Sequence, residues 1–212
     1  MKKIVITGAL GYIGTELCKL YSGFSWKYDV VAIDNRFISE RVNELKRRKI
    51  KFIQADICNL NEIKIYVKGA EVVHHLAGIT DVAYVKKDAN PDQDEKIKKV
   101  AIEGTENILK SMNDKATIVF PSTHVVFEGL KKPKTNVDEK EETSTFLAYS
   151  SSKVVNENQI INSGKNYVIF RLGSVYGFST DTMRINIMPN LFSKIASQDG
   201  TIKLFGGGVQ FK

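Results

Sequence analysis

Apolar and polar positions along the chain form two kinds of segment in alternation. Short apolar runs are typical of buried strands, and longer stretches with an apolar residue every three or four positions are typical of amphipathic helices. The short runs predict strands at residues 4–6, 30–33, 50–53, 71–76, 116–120, 167–170 and 202–205. The longer stretches predict helices after residue 11 and at residues 37–48, 63–67, 92–112, 146–161 and 185–196. This alternation predicts an α/β fold with a parallel sheet and helices on both faces.

Three spaced glycines follow the first strand. Gly8 lets the chain turn sharply, Gly11 lets the backbone approach a pyrophosphate, and Gly14 lets the next helix lie close to the sheet. The first helical turn, with Tyr12 and Ile13, offers backbone N–H groups and the positive end of the helix dipole to phosphates. The unit predicts dinucleotide binding, although a glycine-rich turn without a ligand has the same local pattern.

Asp34 ends the second strand, where a carboxylate can accept hydrogen bonds from both ribose hydroxyls of an adenosine. Because it would repel a 2′-phosphate, Asp34 predicts NAD rather than NADP, with Asn35 beside it in the same site. Arg36 argues the other way, since a guanidinium can pair with that phosphate.

Two further strand ends contribute candidate cofactor contacts. Asp56 and Ile57 follow the third strand, where the acid either contacts the adenine edge or belongs to an ordinary helix cap. Leu76 ends the fourth strand, and the small residues Ala77 and Gly78 follow where a backbone must pass a ligand. All five are predicted to belong to the dinucleotide site.

His74 and His75 are adjacent in the fourth strand. Neighbouring side chains of a strand point to opposite faces, so these two cannot share one metal ion. We expect both rings to serve packing, and no metal site is predicted.

Candidate catalytic residues come from the fifth strand and the helix after the following loop. Tyr149 and Lys153 lie four residues apart and share one helix face, and Thr123 ends the strand. A phenol titrates near pH 10, so its pKa must fall by about 3, roughly 4 kcal/mol, for it to act as a base at pH 7. A neighbouring ammonium and an oxidised nicotinamide both favour the phenolate. Taken alone, the Tyr–Lys spacing is common by chance and usually indicates a solvated helix face.

Composition argues against several classes of protein. The net charge of +7 comes from scattered lysines and arginines without interleaved aromatic residues, which argues against nucleic-acid binding and leaves attraction to a phosphorylated small molecule as a second interpretation. No apolar run is long enough to span a membrane. Cys18 and Cys58 show neither disulfide nor metal spacing, so we expect a cytoplasmic protein.

With these residues in view, the chain resembles an extended short-chain dehydrogenase/reductase of the NAD-dependent epimerase/dehydratase group, which acts on nucleotide sugars. The resemblance rests on residues 7–14 (TGALGYIG), Asp34, residues 56–57, 75–78, 104–105 and 121–123, Tyr149 with Lys153, and residues 171–177 (RLGSVYG). It implies a doubly wound Rossmann fold, NAD as cofactor and a nucleotide-sugar substrate. It also implies a catalytic trio in which Tyr149 takes the proton of a sugar hydroxyl, Lys153 holds the nicotinamide ribose and keeps Tyr149 acidic, and Thr123 contacts the substrate oxygen.

Several positions depart from the family pattern. Ala101 and Ser174 stand where relatives usually carry asparagine, and Ser174 weakens the expected grip on the substrate. His124 and Val125 stand where dehydratases place an Asp-Glu pair. The implied substrate-binding residues are therefore Thr123, His124 and Ser174, and an epimerase or sugar oxidoreductase fits better than a 4,6-dehydratase.

The resemblance divides the chain into an NAD-binding Rossmann domain at residues 1–170 and a partial substrate-binding region at residues 171–212. The second region stops at a turn that relatives continue, so a dinucleotide-binding module without turnover is the alternative function. The helix at residues 185–196 carries more apolar residues than one face needs. We expect an exposed apolar patch there that a homodimer covers.

Overall fold

A six-stranded parallel sheet forms the centre of the protein. The structure, a computed structural model, describes residues 1–80, 90–132, 134–179 and 182–208. The strands are β1 (Lys2–Thr7), β2 (Tyr28–Asp34), β3 (Lys51–Gln54), β4 (Val72–His75), β5 (Thr117–Thr123) and β6 (Asn166–Leu172), in the spatial order β3-β2-β1-β4-β5-β6. All neighbouring strands are parallel, which confirms the predicted α/β fold with a doubly wound sheet.

Helices connect the strands and cover both faces of the sheet. They are α1 (Tyr12–Ser22), α2 (Ser39–Arg47), α3 (Leu60–Val67), α4 (Pro91–Ser111), α5 (Ala148–Ile161) and α6 (Met188–Ser197). Short 3-10 turns occur at His124–Phe127 and Phe205–Gly208. The side chains of Asn59 and Asn90 cap the first turns of α3 and α4. Among the helices described, none is long and apolar enough to cross a membrane.

The winding of the sheet reverses beside β1. This strand pairs with β2 on one side and β4 on the other, so Thr7 lies opposite both Ile33 and His75. The carboxyl ends of β1, β2 and β4 therefore open onto one crevice. Such a switch point is where open α/β sheets bind their ligands.

Alternate side chains along the strands pack against the two helical layers. Val5, Val31 and Val73 belong to a buried cluster completed by residues of α3, α4 and α5. Ile4 and Ile6 belong to a second cluster completed by residues of α1 and α2. Because both faces of the sheet are covered, continuous apolar runs suit these strands better than an alternating pattern.

The loop between β5 and α5 has a closed base. The described part of residues 128–145 contains no helix or strand. Gly129 N donates to Ser144 O at 2.8 Å, and Ser144 N donates to Val126 O at 2.9 Å. The two ends of the loop are therefore held next to each other, close to the end of β5.

One predicted strand is wrong. The apolar run at residues 202–205 predicts a strand, but residues 201–204 have no regular structure and lead into the 3-10 turn at Phe205–Gly208. Ile202 is 36% exposed and Leu204 is 62% exposed. An apolar run becomes a strand only where it pairs with a sheet edge, and within the described chain this run pairs with neither edge.

The apolar surface predicted around α6 is present. Asn190 is the buried residue of this helix. Met188 is 52% exposed, and Leu191, Phe192 and Ile195 are half-buried. Its coverage by a second copy of the chain stays a prediction, as does the division into two domains. Positions 180–181 and 209–212 of the predicted substrate region lie outside the described residues.

Candidate active site

The turn after β1 depends on backbone atoms packed at close range. Gly8 has a φ of +66°, and a Cβ there would lie 2.8 Å from the backbone nitrogen of Ala77. A Cβ at Gly14 would lie 2.3 Å from the carbonyl oxygen of Gly8. Both positions therefore require glycine, and the amino end of α1 packs against the end of β1 as the three-glycine pattern predicts.

The amino end of α1 has no side-chain cap. Gly11 is the N-cap residue, and the first turn, which begins with Tyr12 and Ile13, contains no acidic side chain. The N–H groups and positive dipole end of the helix therefore lie at the carboxyl edge of the sheet. An anion such as a pyrophosphate fits this arrangement.

Asp34 lies beside this turn, as predicted. Its side chain is 3% exposed, and its Oδ2 accepts a hydrogen bond from Leu10 N at 3.0 Å. The guanidinium of Arg36 also binds the carboxylate, with Nε 3.0 Å from Oδ1 and Nη2 3.3 Å from Oδ2. Asn35 between them is exposed. The acid thus holds a guanidinium where ribose hydroxyls are expected.

His75 ties the end of β4 to β1 and α4. Its Nδ1 lies 3.0 Å from Thr7 Oγ1, and its Nε2 lies 3.1 Å from Thr105 Oγ1. Burial, together with the charge of Lys153, lowers the pKa of His75 to about 3, so the ring is neutral. The Thr7 hydroxyl also accepts a hydrogen bond from Ala77 N at 3.2 Å, which fixes the backbone at this strand end.

His74 points to the opposite face of β4, as predicted, and its Nε2 lies 2.8 Å from the hydroxyl oxygen of Tyr21. No group of side chains that could hold a metal ion occurs in the described part of the chain. Leu76 packs against the cluster on the α1 face of the sheet. A Cβ at Gly78 would meet no atom within 4 Å, so the backbone there is open to a ligand.

Asp56 and Ile57 have structural partners at the end of β3. Asp56 Oδ1 accepts a hydrogen bond from Cys58 N at 2.9 Å, in the turn that leads to the cap of α3 at Asn59. Ile57 is 5% exposed, and its side chain fills the space that a Cβ at Gly104 would need. The fold explains both residues, and their contact with adenine stays a prediction.

Thr123, Tyr149 and Lys153 meet at the end of β5. The hydroxyl of Thr123 lies near that of Tyr149 and acts to lower its pKa. Lys153 lies one turn further along α5, with its Nζ 5.8 Å from the centroid of the Tyr149 ring and 2.9 Å from Pro121 O. The structure brings the three predicted catalytic residues together at the end of β5, next to the crevice.

Burial dominates the protonation of this group. It raises the pKa of Tyr149, and the charge of Arg184 and the hydrogen bond with Thr123 offset only part of the effect. It lowers the pKa of Lys153 from 10.5 to about 8, against the opposing charge of Glu157. In the protein alone the pKa of Tyr149 therefore moves upward, opposite to the direction that a base needs, because lost hydration outweighs nearby positive charge.

His124 and Ser174 lie on different segments beyond the sheet. His124 belongs to the 3-10 turn after β5, and its Nδ1 lies 3.1 Å from Leu172 O at the end of β6. Ser174 is half-buried in the chain that follows β6. The His124 ring therefore ties two strand ends together, and contact of either residue with a substrate stays a prediction.

Comparison with known proteins identifies the family. Residues 4–211 match the sequence profile of the NAD dependent epimerase/dehydratase family. The chain belongs to this family. The resemblance drawn from the sequence motifs is confirmed, and the match includes both the cofactor side and the catalytic side of the crevice.

Individual relatives match different lengths of the chain. It is 31% identical over 110 residues to the uncharacterized protein 052L of frog virus 3 (isolate Goorha), which is 51% of this chain and 29% of that protein. It is 26% identical over 223 residues to the uncharacterized UDP-glucose epimerase YtcB of Bacillus subtilis (strain 168), covering 98% of this chain and 66% of that protein. The chain therefore spans less than two thirds of the length of each.

A solved structure shows the same fold. The UDP-glucuronic acid 4-epimerase from Bacillus cereus, in complex with UDP-glucuronic acid and NAD, is 26% identical and superposes with a TM-score of 0.76. The superposition covers 98% of this chain and 67% of that one. The Rossmann fold predicted from the motifs is confirmed.

Glu128 is a residue of the site that the sequence motifs do not reveal. Its Oε1 accepts hydrogen bonds from Phe146 N at 3.1 Å, from Leu147 N at 2.9 Å and from the hydroxyl of Ser150. The N-cap residue, Leu147, makes no side-chain cap of its own. Glu128 therefore caps the helix that carries Tyr149 from a position outside the range of local capping patterns.

Glu157 and Arg171 form a second support beneath the site. Arg171 Nη2 lies 2.8 Å from Glu157 Oε2, and the hydroxyl of Ser122 donates to the same carboxylate. Arg171 Nη1 also donates to Glu139 O at 3.2 Å. The group connects α5, β5, β6 and the loop. The sequence indicates this support only through the acid Glu157, one helical turn after Lys153.

The segment after β6 crosses back to the start of α1. The hydroxyl of Tyr12 donates to Gly177 O at 2.5 Å. Further along, Arg184 Nη2 donates to Thr80 O at 3.3 Å, and the charge of Arg184 opposes the effect of burial on the pKa of Tyr149. The segment therefore brings to the catalytic group a cation that the motifs do not include.

Proposed function

We propose that this chain supplies the NAD-binding and catalytic part of an enzyme that epimerises a nucleotide sugar, or oxidises or reduces it, by hydride transfer. The observation that carries the proposal is the meeting of Thr123, Tyr149 and Lys153 at the end of β5, next to the crevice, with Lys153 Nζ 5.8 Å from the centroid of the Tyr149 ring. Membership of the family and the likeness to the Bacillus cereus enzyme support it.

The residues of the crevice fit NAD. The close approach at Gly8 and the uncapped start of α1 at Gly11 suit its pyrophosphate, and the carboxylate of Asp34 suits its adenosine ribose. Lys153 holds the nicotinamide ribose, as the family resemblance implies. When bound, NAD supplies the hydride acceptor that no amino-acid side chain can provide.

Tyr149 takes the proton from the sugar hydroxyl in this mechanism. The Thr123 hydroxyl has one proton, so on substrate binding it donates to the substrate oxygen instead of to Tyr149 and holds that oxygen in line. Lys153 is mostly charged at pH 7, because its pKa is about 8. Since burial raises the pKa of Tyr149, loss of its proton depends on positive charge around it. Arg184 contributes such charge, and the Lys153 ammonium lies 5.8 Å from the centroid of the Tyr149 ring.

The substrate class comes from the relatives. The Bacillus cereus neighbour is solved with UDP-glucuronic acid, and the Bacillus subtilis relative is described as a UDP-glucose epimerase. We therefore propose a UDP sugar, with His124 and Ser174 on its side of the site. A 4,6-dehydratase is disfavoured, because His124 and Val125 stand where dehydratases place an Asp-Glu pair.

A dinucleotide-binding chain without turnover is the second candidate. The upward pKa of Tyr149 favours it, because a phenol that keeps its proton cannot act as a base. The two candidates make the same prediction for NAD binding and opposite predictions for turnover.

The test combines calorimetric titration of NAD with incubation of the purified chain with UDP-glucose and UDP-glucuronic acid, followed by NMR of the sugar products. We expect NAD binding and epimer formation. Tyr149→Phe should lower turnover by about 100-fold or more and leave NAD affinity within about twofold, because only the ionisable oxygen is lost. Lys153→Ala should weaken both. NAD binding without conversion of any sugar favours the second candidate, and a Tyr149→Phe variant that keeps most of its activity contradicts the mechanism.

The assembly and the compartment are also proposals. The exposed and half-buried apolar residues of α6 support a homodimer, which sedimentation velocity tests directly. Cys18 and Cys58 are free thiols, which is compatible with a cytoplasmic location.

A further inference from the structure

The carboxylate of Asp34 already has a full set of hydrogen bonds. Its Oδ1 accepts from Arg36 N at 3.1 Å and from Arg36 Nε at 3.0 Å. Its Oδ2 accepts from Leu10 N at 3.0 Å and from Arg36 Nη2 at 3.3 Å. An ionised carboxylate offers about four lone-pair positions, so two ribose hydroxyls can bind it only by displacing donors that are present.

Two of the four donors can leave. Leu10 N and Arg36 N are backbone groups beside the glycine turn and the end of β2. They could leave the carboxylate only if the backbone itself rearranged. The other two belong to the Arg36 side chain, which is 54% exposed and can rotate into solvent. The ribose therefore competes with the Arg36 guanidinium for Asp34.

A second guanidinium lies close to this acid. Arg41 Nη1 donates to Leu10 O at 2.7 Å, and the backbone N of the same Leu10 donates to Asp34. The side chains of Arg36 and Arg41 thus both lie near Asp34. A 2′-phosphate arriving here would meet guanidinium groups as well as the acid, and a guanidinium binds phosphate in a bidentate manner.

We propose that Arg36 sets the dinucleotide selectivity of this chain, by competing with the ribose of NAD for Asp34 and by pairing with the 2′-phosphate of NADP. The inference rests on the proposed function only in that the crevice binds a dinucleotide. NAD binding breaks the contact between Arg36 and Asp34, whereas NADP binding replaces it with a contact between Arg36 and phosphate. The chain therefore prefers NAD, but by a smaller factor than Asp34 alone would give.

The test is calorimetric titration of NAD and of NADP into the parent chain and three variants. Arg36→Met keeps the length of the side chain without its charge, and Arg36→Lys keeps the charge without the planar fork. Arg47→Met is the matched control, because Arg47 is an exposed arginine of α2 that pairs with Glu44.

Arg36→Met should bind NAD about fivefold more tightly, since the ion pair between buried Asp34 and the half-exposed Arg36 side chain no longer has to be broken. The same variant should bind NADP about tenfold more weakly, because the charge-assisted contact to phosphate is lost. Arg36→Lys should lie between the parent and Arg36→Met for both ligands. Arg47→Met should match the parent.

Unchanged or weaker NAD binding by Arg36→Met overturns the inference while leaving the proposed function intact. Equal losses for NAD and NADP in Arg36→Met and Arg36→Lys also overturn it, because they indicate a structural role. A parent chain that binds neither dinucleotide overturns both proposals.

Discussion

The cofactor side and the catalytic side of the crevice are held by different kinds of interaction. On the cofactor side, β1, its turn and α1 are fixed by backbone atoms close in sequence, as in the approach of Gly14 to Gly8. On the catalytic side, α5 is fixed by side chains from distant segments, with Glu128 at its start and Arg171 against Glu157 further along. The first side therefore tolerates no added Cβ at Gly8 or Gly14. On the second side, a substitution should cost stability in proportion to the contact that it removes.

The largest expected effect is that of Gly14→Ala. The new Cβ would meet the backbone at 2.3 Å, so the turn itself must move. We expect a loss of about 3 kcal/mol in the free energy of unfolding and a loss of NAD binding. Chemical denaturation and calorimetry measure the two. Gly173→Ala is the control, because a Cβ there would meet no atom within 4 Å and its stability should hardly change. Similar losses in both variants would contradict the comparison.

On the catalytic side, Glu157→Ala should cost about 2 kcal/mol, because it leaves the Arg171 guanidinium mostly buried without its ion pair. The side chains of Glu157 and Arg171 are 7% and 20% exposed. Glu106→Ala, which breaks an ion pair with Lys110 between half-exposed side chains, should cost less than about 0.5 kcal/mol. Chemical denaturation of both variants in the same buffer measures the free energy of unfolding. Equal losses would show that the Glu157–Arg171 pair stabilises the protein no more than an exposed ion pair does.

His75 lies where the two sides meet and should make stability depend on pH. Its pKa is about 3 in the folded protein and 6.5 as the ordinary value. The unfolded chain binds the proton more readily, so the stability from the neutral ring is complete above pH 6.5 and is lost as the pH falls towards 3. At pH 5 the loss is about 2 kcal/mol. His75→Gln, which keeps a hydrogen-bonding side chain without the titration, should show a flatter profile between pH 7 and about pH 5. Parallel profiles for the two proteins would contradict this prediction.

The smallest effect expected is that of Glu128→Ala. Loss of a helix cap costs about 1 kcal/mol, and the start of α5 should fray. Glu128→Gln retains an acceptor oxygen and should recover most of the stability. Glu142→Ala, an exposed acid of the same loop, should match the parent. Hydrogen exchange at Leu147 N reports the local effect, and unchanged protection in Glu128→Ala would show that another group caps the helix.

The same comparison explains what could be predicted from the sequence. The glycine turn and Asp34 were predictable because their spacing reflects local backbone geometry, and Tyr149 with Lys153 because one helix face joins them. The role of Glu128 was not, because its partners become neighbours only when the loop base closes. The false strand at residues 202–205 has the same origin, since pairing depends on an available sheet edge and not on the run itself.

The occupation of Asp34 by Arg36 is an intermediate case. The sequence shows both residues and indicates that they oppose each other in the choice of dinucleotide. It does not show that they bind each other, because the rotation of an exposed arginine depends on which acceptors surround it. The consequence for selectivity therefore needed the positions of both side chains.

The closed base of the loop between β5 and α5 separates the rest of the loop from the support of the helix that carries Tyr149. Gly129 and Ser144 hold its two ends together, and Glu128 attaches this base to the helix that carries Tyr149. Residues 130–143 are then an insert on a fixed stem. A change of length or sequence within this insert therefore leaves the anchor of that helix at Glu128 in place.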